Sequence, residues 1–129
     1  LHKYRYDPRN NRTEDSCYGA KGKRKRDSQG VAIYTTKFDS VGNQVEENFL
    51  GPTATLSNNH QGVARIIRKF EQSRLLEERF FDQAGQPVKG PDGYHFKRIF
   101  YDPAGASPHE ERYDEHSRPL NGRRNSGGS

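Results

Sequence analysis

Four pairs of acidic residues recur along the chain: Glu14-Asp15, Glu46-Glu47, Glu77-Glu78 and Glu110-Glu111. Paired carboxylates do acid–base chemistry when their surroundings raise the pKa of one and leave the other ionised. They can also supply the several oxygens that calcium takes. Recurrence argues against both uses, because a periodic ladder offers no singular pair. Bases recur as well: Arg5, Lys37 and Lys69 each stand one residue before an aromatic, and Lys97 and Arg98 lie near the point where that column breaks at Phe100. Opposite charges on adjacent strands stabilise by about 0.2–1 kcal/mol per pair. The acids are therefore expected to pair with the bases, and the expectation is of no enzyme, no metal and no other cofactor. Charge on exposed strands also discourages sheet-to-sheet aggregation.

The densest charge is "KGKRKR", residues 21–26, in a chain of net charge +5 and pI near 9.4. Lys21, Lys23, Arg24, Lys25 and Arg26 form a candidate site for a polyanion: nucleic acid, an anionic surface or an acidic polysaccharide. A solvated turn is the plainer reading of the same run. "GAKGK" lacks the spacing of a phosphate loop. His2, His60, His95, His109 and His116 include no pair at the i, i+4 spacing of a helical zinc site and read as scattered surface residues. The lone Cys17 excludes an internal disulfide and stands where other units carry Phe or Tyr, as a small buried substitute. "NRT" at 11–13 fits the N-glycosylation pattern of a secretory setting.

The elements that must position these residues follow from a repeat. Aromatic–acid pairs fall at Tyr6-Asp7, Phe38-Asp39, Phe70-Glu71 and Tyr101-Asp102, spaced 32, 32 and 31 residues apart. Gly30, Gly62 and Gly93 precede the last three, each followed by a short apolar-rich run. A few residues after each pair come the acids, and two beyond them Cys17, Phe49, Phe80 or Tyr113, then a turn such as "GPTA" or "DQAGQP". Each unit reads strand, turn, strand, turn, with Gly, Asn and Pro as hairpin punctuation. Only about 17% of the 129 residues are Leu, Ile, Val or Phe, so the core must be thin. The 7 Tyr and 7 Phe supply most of its area. Two aromatic columns are expected to stack as that core: Tyr6, Phe38, Phe70 and Tyr101 in one, Phe49, Phe80 and Tyr113 in the other.

A single hairpin is marginal in water, but neighbours laid side by side cover one another. The expected fold is all-β: four tandem β-hairpin repeats forming a curved or twisted antiparallel sheet or an open β-solenoid. The array spans 1–120, in units of about 1–29, 30–61, 62–92 and 93–120, with 121–129 ("NGRRNSGGS") as a flexible tail. Segment 63–81 competes locally, being rich in helix formers with Val63, Ile66, Ile67, Phe70 and Phe81 on one helical face, though Leu75 and Leu76 then point elsewhere. Its β-branched and aromatic siblings in the same columns favour a hairpin instead.

The phrases "FDSVGN" and "YDPAG" close a strand with an aromatic–Asp pair and open a turn with Gly. They resemble YD (Rhs-type) repeats, tandem hairpins of bacterial surface, shell and toxin-delivery proteins. The acid, aromatic and Gly spacing also resembles MORN-like repeats. The resemblance covers nearly all of 1–120, at a period longer than either family's usual unit. It implies a non-catalytic structural or binding module within a larger protein and brings no catalytic residues. Partners would be another protein or neighbouring repeats of the parent chain, with self-association through open sheet edges as a further route. Nucleic acid is the alternative partner, through the basic 21–26 turn. No apolar run approaches the roughly 18 residues of a membrane span.

Overall fold

The computed structural model describes residues 1–101, 103, 105 and 107–120. Asp102 and the 121–129 segment, with Arg123 and Arg124, lie outside the described residues. Eight strands follow one another: β1 (His2–Tyr6), β2 (Arg12–Cys17), β3 (Ile33–Phe38), β4 (Gln44–Leu50), β5 (Arg65–Glu71), β6 (Arg74–Phe81), β7 (Phe96–Phe100) and β8 (His109–Tyr113). They form one antiparallel sheet in sequence order. The sheet does not close, so β1 and β8 are its edges. No helix is present among the described residues.

Segment 63–81 is a hairpin, as its place in the repeat requires. Arg65 pairs with Phe81, and the ladder runs to Glu71 opposite Arg74. The reversal passes through Gln72, at φ 56°. The helical stripe in this stretch is a by-product of β-strand residues chosen for two different faces. Neighbouring strands on both sides decide its conformation, since β4 and β7 complete the ladders.

The hydrophobic core lies at the connector end of the sheet, where chain folds back over one face. Connectors 18–32, 51–64 and 82–95 join successive hairpins. Each contains two tight turns. The second turn ends in Gly30, Gly62 or Gly93, all at positive φ, and delivers Val31, Val63 or Tyr94 into the core. There these side chains meet Phe49 and Phe80, with Tyr34, Ile66 and Val88 packed against them. Gly30 has a second role, because a Cβ there would lie 2.6 Å from the His60 ring. The His60 amide donates to the Gln29 carbonyl at 2.8 Å, so consecutive connectors dock on one another.

Both expected core columns need correction. Tyr6 is 54% exposed, and Phe38, Phe70 and Tyr101 are half-buried. The register shifts between Arg5 and Tyr6, Lys37 and Phe38, and Lys69 and Phe70. Tyr6, Phe38 and Phe70 therefore sit at bulges beside the hairpin tips, and Tyr101 lies just beyond the end of β7. The second column holds Phe49 and Phe80, both buried, but not Tyr113. Ile66 faces Phe80, and its counterpart Lys97 faces Arg112. Likewise Ser57 donates to the Phe49 carbonyl, Val88 to that of Phe80, and Leu120 to that of Arg112. Tyr113 instead joins Tyr18, Leu50 and Phe81, each bridged to a residue of the following arm. The repeated letters "EER" are offset by one residue from the repeated pairing, and one residue flips a side chain to the other face. Tyr113 thus stacks on Phe96, ring centroids 5.3 Å apart. Cys17 does occupy the Phe49–Phe80 column, half-buried.

Candidate functional site

The two acids of a pair point to opposite faces, as alternation along a strand requires. On the face away from the core column, Arg5 lies 3.6 Å from Glu14 and Lys37 lies 3.5 Å from Glu46. Lys69 faces Glu77 in the ladder, and Arg98 of the next hairpin comes within 3.8 Å of the same carboxylate. These are the cross-strand pairs expected from the recurring bases. In the fourth hairpin the offset changes the partners. His109 stands opposite Phe100, and Glu111 accepts a hydrogen bond from the Tyr113 hydroxyl at 2.6 Å.

On the core face the second acids, Asp15, Glu47 and Glu78, meet a different set of groups. Arg68 reaches from β5 to both neighbouring strands. Its Nε donates to Glu78 Oε2 at 2.8 Å and its Nη1 to Glu47 Oε2 at 2.5 Å. Tyr94 donates its hydroxyl to the other Glu78 oxygen, and Lys97 lies 3.8 Å from that oxygen. Burial pushes the Glu78 carboxyl up, but Tyr94, Arg68 and Lys97 outweigh burial and hold it below its ordinary 4.5. Burial and the adjacent Glu78 both push the Tyr94 phenol well above its ordinary range. Burial draws the Arg68 guanidinium down, and Glu78 and Glu47 more than restore it, so it stays charged. Sequence reasoning missed this bridge. The signal was the parity of the acid pairs: of two adjacent residues on a strand, one must face the core side.

Towards the β1 edge the core face opens into a groove of about 510 Å³. Asp15, Glu47, Tyr34, Thr36 and Phe38 line it, with Glu14 and Arg12 also contributing. Tyr34 and Phe49 meet edge to face below it, centroids 5.5 Å apart. The Tyr34 hydroxyl donates to Asp27 of the connector at 2.5 Å. Burial and Asp27 push the Tyr34 phenol well above its ordinary range.

The basic run lies in the first connector, and all of Lys21, Lys23, Arg24, Lys25 and Arg26 are exposed. The structure divides them. Lys21 and Lys23 belong to the tight turn in which Gly19 donates to the Lys23 carbonyl, and Arg24 bridges back to Tyr18. Lys25 has its side chain against Gly19. Arg26 is committed to the fold, since Nη1 donates to the Gly30 carbonyl at 2.8 Å and to Ser57 Oγ at 2.9 Å.

One histidine departs from the surface reading. His95 is buried, its Nδ1 2.7 Å from the Phe80 carbonyl and 3.3 Å from that of Val88. Both partners are acceptors, so Nδ1 carries a proton, and the ring ties the third connector to β6. Its counterparts are Ala32 and Ala64, which gave the sequence no hint of a polar role. Among the described residues, no group of three or more His, Cys, Asp or Glu side chains could hold a metal ion. Nor is any helix long and apolar enough to cross a membrane.

No protein-family model matches the chain, and no curated protein matches it significantly. The reading of this site therefore rests on its own geometry.

Proposed function

We propose that the chain is a non-catalytic binding or scaffolding module of tandem β-hairpins, of the YD- or MORN-like kind. The observation that carries this reading is the single open sheet in sequence order, whose connectors cover one end of one face. The hairpin tips and the β1-side groove are left to solvent. Such arrays commonly bind along an extended surface. The acids support it too. Every carboxyl displaced from its ordinary pKa among the described residues is displaced downwards: Asp7, Asp27, Asp39, Glu46, Glu78, Glu111 and Asp114. A general acid working near neutral pH needs the opposite displacement.

A second reading is favoured by the basic connector. Lys21, Lys23, Arg24 and Lys25 are exposed on one short arm and would meet a polyanion, while Arg26 holds the arm in place. Immobilised protein titrated with a panel of defined peptides and with single-stranded nucleic acid separates the two. The scaffold reading expects saturable peptide binding at physiological salt that survives replacing those four residues by Ser. Nucleic-acid binding that falls steeply with salt and vanishes in the same variant would transfer the function to the basic arm. Absence of any peptide binding would overturn the first reading.

A further inference from the structure

We propose that the groove at the β1 side takes an arginine side chain of a polypeptide partner. Its guanidinium would sit between Asp15 and Glu47, against Tyr34 and Phe38. This deepens the binding-scaffold reading and rests on it.

The acids alone would carry no such claim. What points to a guanidinium is the same position one repeat further on. Arg68 faces Glu78 across the β5–β6 hairpin and reaches Glu47 on the other side. Thr36 holds the equivalent place: it faces Glu47 across the β3–β4 hairpin, with Asp15 on the far side opposite Tyr34. Glu78 corresponds to Glu47, and Glu47 to Asp15. Where the third hairpin supplies its own cation, the second carries a short hydroxyl side chain. The space that an arginine would fill is the groove, which both carboxylates line.

Both carboxylates keep capacity for a further donor. Arg68 uses Oε2 of Glu47, and His2 contacts Oδ1 of Asp15 at 2.7 Å. An ionised carboxylate has two oxygens and about four acceptor positions. On the core face the groove carries two carboxylates, Asp15 and Glu47, against the single guanidinium of Arg12. Arg12 is drawn aside over the Tyr4 ring, 4.2 Å from its centroid.

Arginine fits better than lysine for two reasons. A planar fork can donate to both carboxylates at once, whereas an ammonium acts as a point charge. The flat guanidinium can also stack on an aromatic ring, and Tyr34 and Phe38 supply rings in the groove. The volume of about 510 Å³ leaves room for the side chain and the flanking backbone.

The test uses acetyl-Gly-Arg-Gly-amide, its lysine counterpart and its citrulline counterpart, which keeps the shape and removes the charge. Amide chemical shifts of the labelled protein are followed during titration. The arginine peptide should shift residues around Asp15, Thr36 and Glu47 saturably, with the lysine and citrulline peptides at least about tenfold weaker. Thr36→Arg should place an internal guanidinium in the groove, raise Tm and abolish binding. Asp15→Asn should weaken binding about tenfold or more while leaving the β spectrum unchanged. Equal binding of the citrulline or lysine peptide, or undiminished binding in Asp15→Asn or a folded Thr36→Arg, would overturn the proposal. If the arginine peptide fails while other panel peptides bind, this inference falls alone. If no peptide binds at all, the scaffold reading falls with it.

Discussion

Arg68 joins three strands with one side chain. Its partners Glu47 and Glu78 come from β4 and β6, and Tyr94 and Lys97 extend the network to the third connector and β7. Arg68 and Glu78 are largely withdrawn from water, so removing one partner leaves a charge poorly compensated. Arg68→Ala is expected to cost about 3 kcal/mol in a urea melt, more than any of the exposed pairs on the other face. A cost no larger than that of Arg5→Ala would contradict the network's role. Glu78 of this network and Glu46 on the opposite face both bear on the acid limit. Glu46 and Glu78 both have folded-state pKa values below their ordinary 4.5. Their stabilisation is complete above the unfolded value and is lost as pH falls through the folded ones. Thermal melts should show a constant Tm contribution from these groups near neutrality and a decline below about pH 4.5. Glu78→Gln should be less stable at neutral pH and show a shallower acid decline.

The turns are the elements that make the repeat regular. Asp7, Asp27, Asp39, Asp82 and Asp114 each accept amide hydrogen bonds from residues two and four positions on, and Asn59 does the same. This side-chain capping is why the motif D-x-x-G recurs both at hairpin tips and in connectors. The glycines of this motif read as hairpin punctuation in the sequence, but the carboxylate's part in holding each loop does not. Gly90 replaces the acid in the third connector because a Cβ there would lie 2.7 Å from the Phe80 ring. The β5–β6 reversal follows another pattern, with Gln72 in the left-handed region at φ 56°. Glycine adopts that region without steric strain. Gln72→Gly should therefore stabilise the fold by about 0.5–1 kcal/mol in a urea melt. Loss of stability would mean that the Gln72 side chain contributes contacts that outweigh backbone strain.

At the scale of the molecule, the period told the architecture and the pairing told the sites. A hairpin count, strand order and the β nature of 63–81 were legible because columns of residues recur at a nearly constant spacing. The core was less legible. Val31, Val63 and Tyr94 differ in size and follow glycines in stretches that read as strand starts, so nothing in their letters marked a fold-back. The aromatic column Tyr6, Phe38, Phe70 and Tyr101 looked like a core because it recurs, yet recurrence marks any fixed place in a repeat, including a bulge. The one-residue offset of Glu110-Glu111 was hidden because "EER" occurs in both the third and fourth hairpins. The equivalence of Thr36 and Arg68 follows from the 32-residue spacing, but the two carboxylates that flank each of them emerge only from the strand pairing.

The central claim is one open sheet in which each hairpin presents one acid to each face. Cross-strand nuclear Overhauser contacts on isotope-labelled protein test it most directly. The structure predicts contacts linking β1 through β8 in sequence order, with Glu78 opposite Arg68 on one side and Lys97 on the other, and Tyr113 opposite Phe96. Helical i, i+3 contacts across 63–81, contacts joining β1 to β8, or a register placing Tyr113 in the Phe80 column would contradict it.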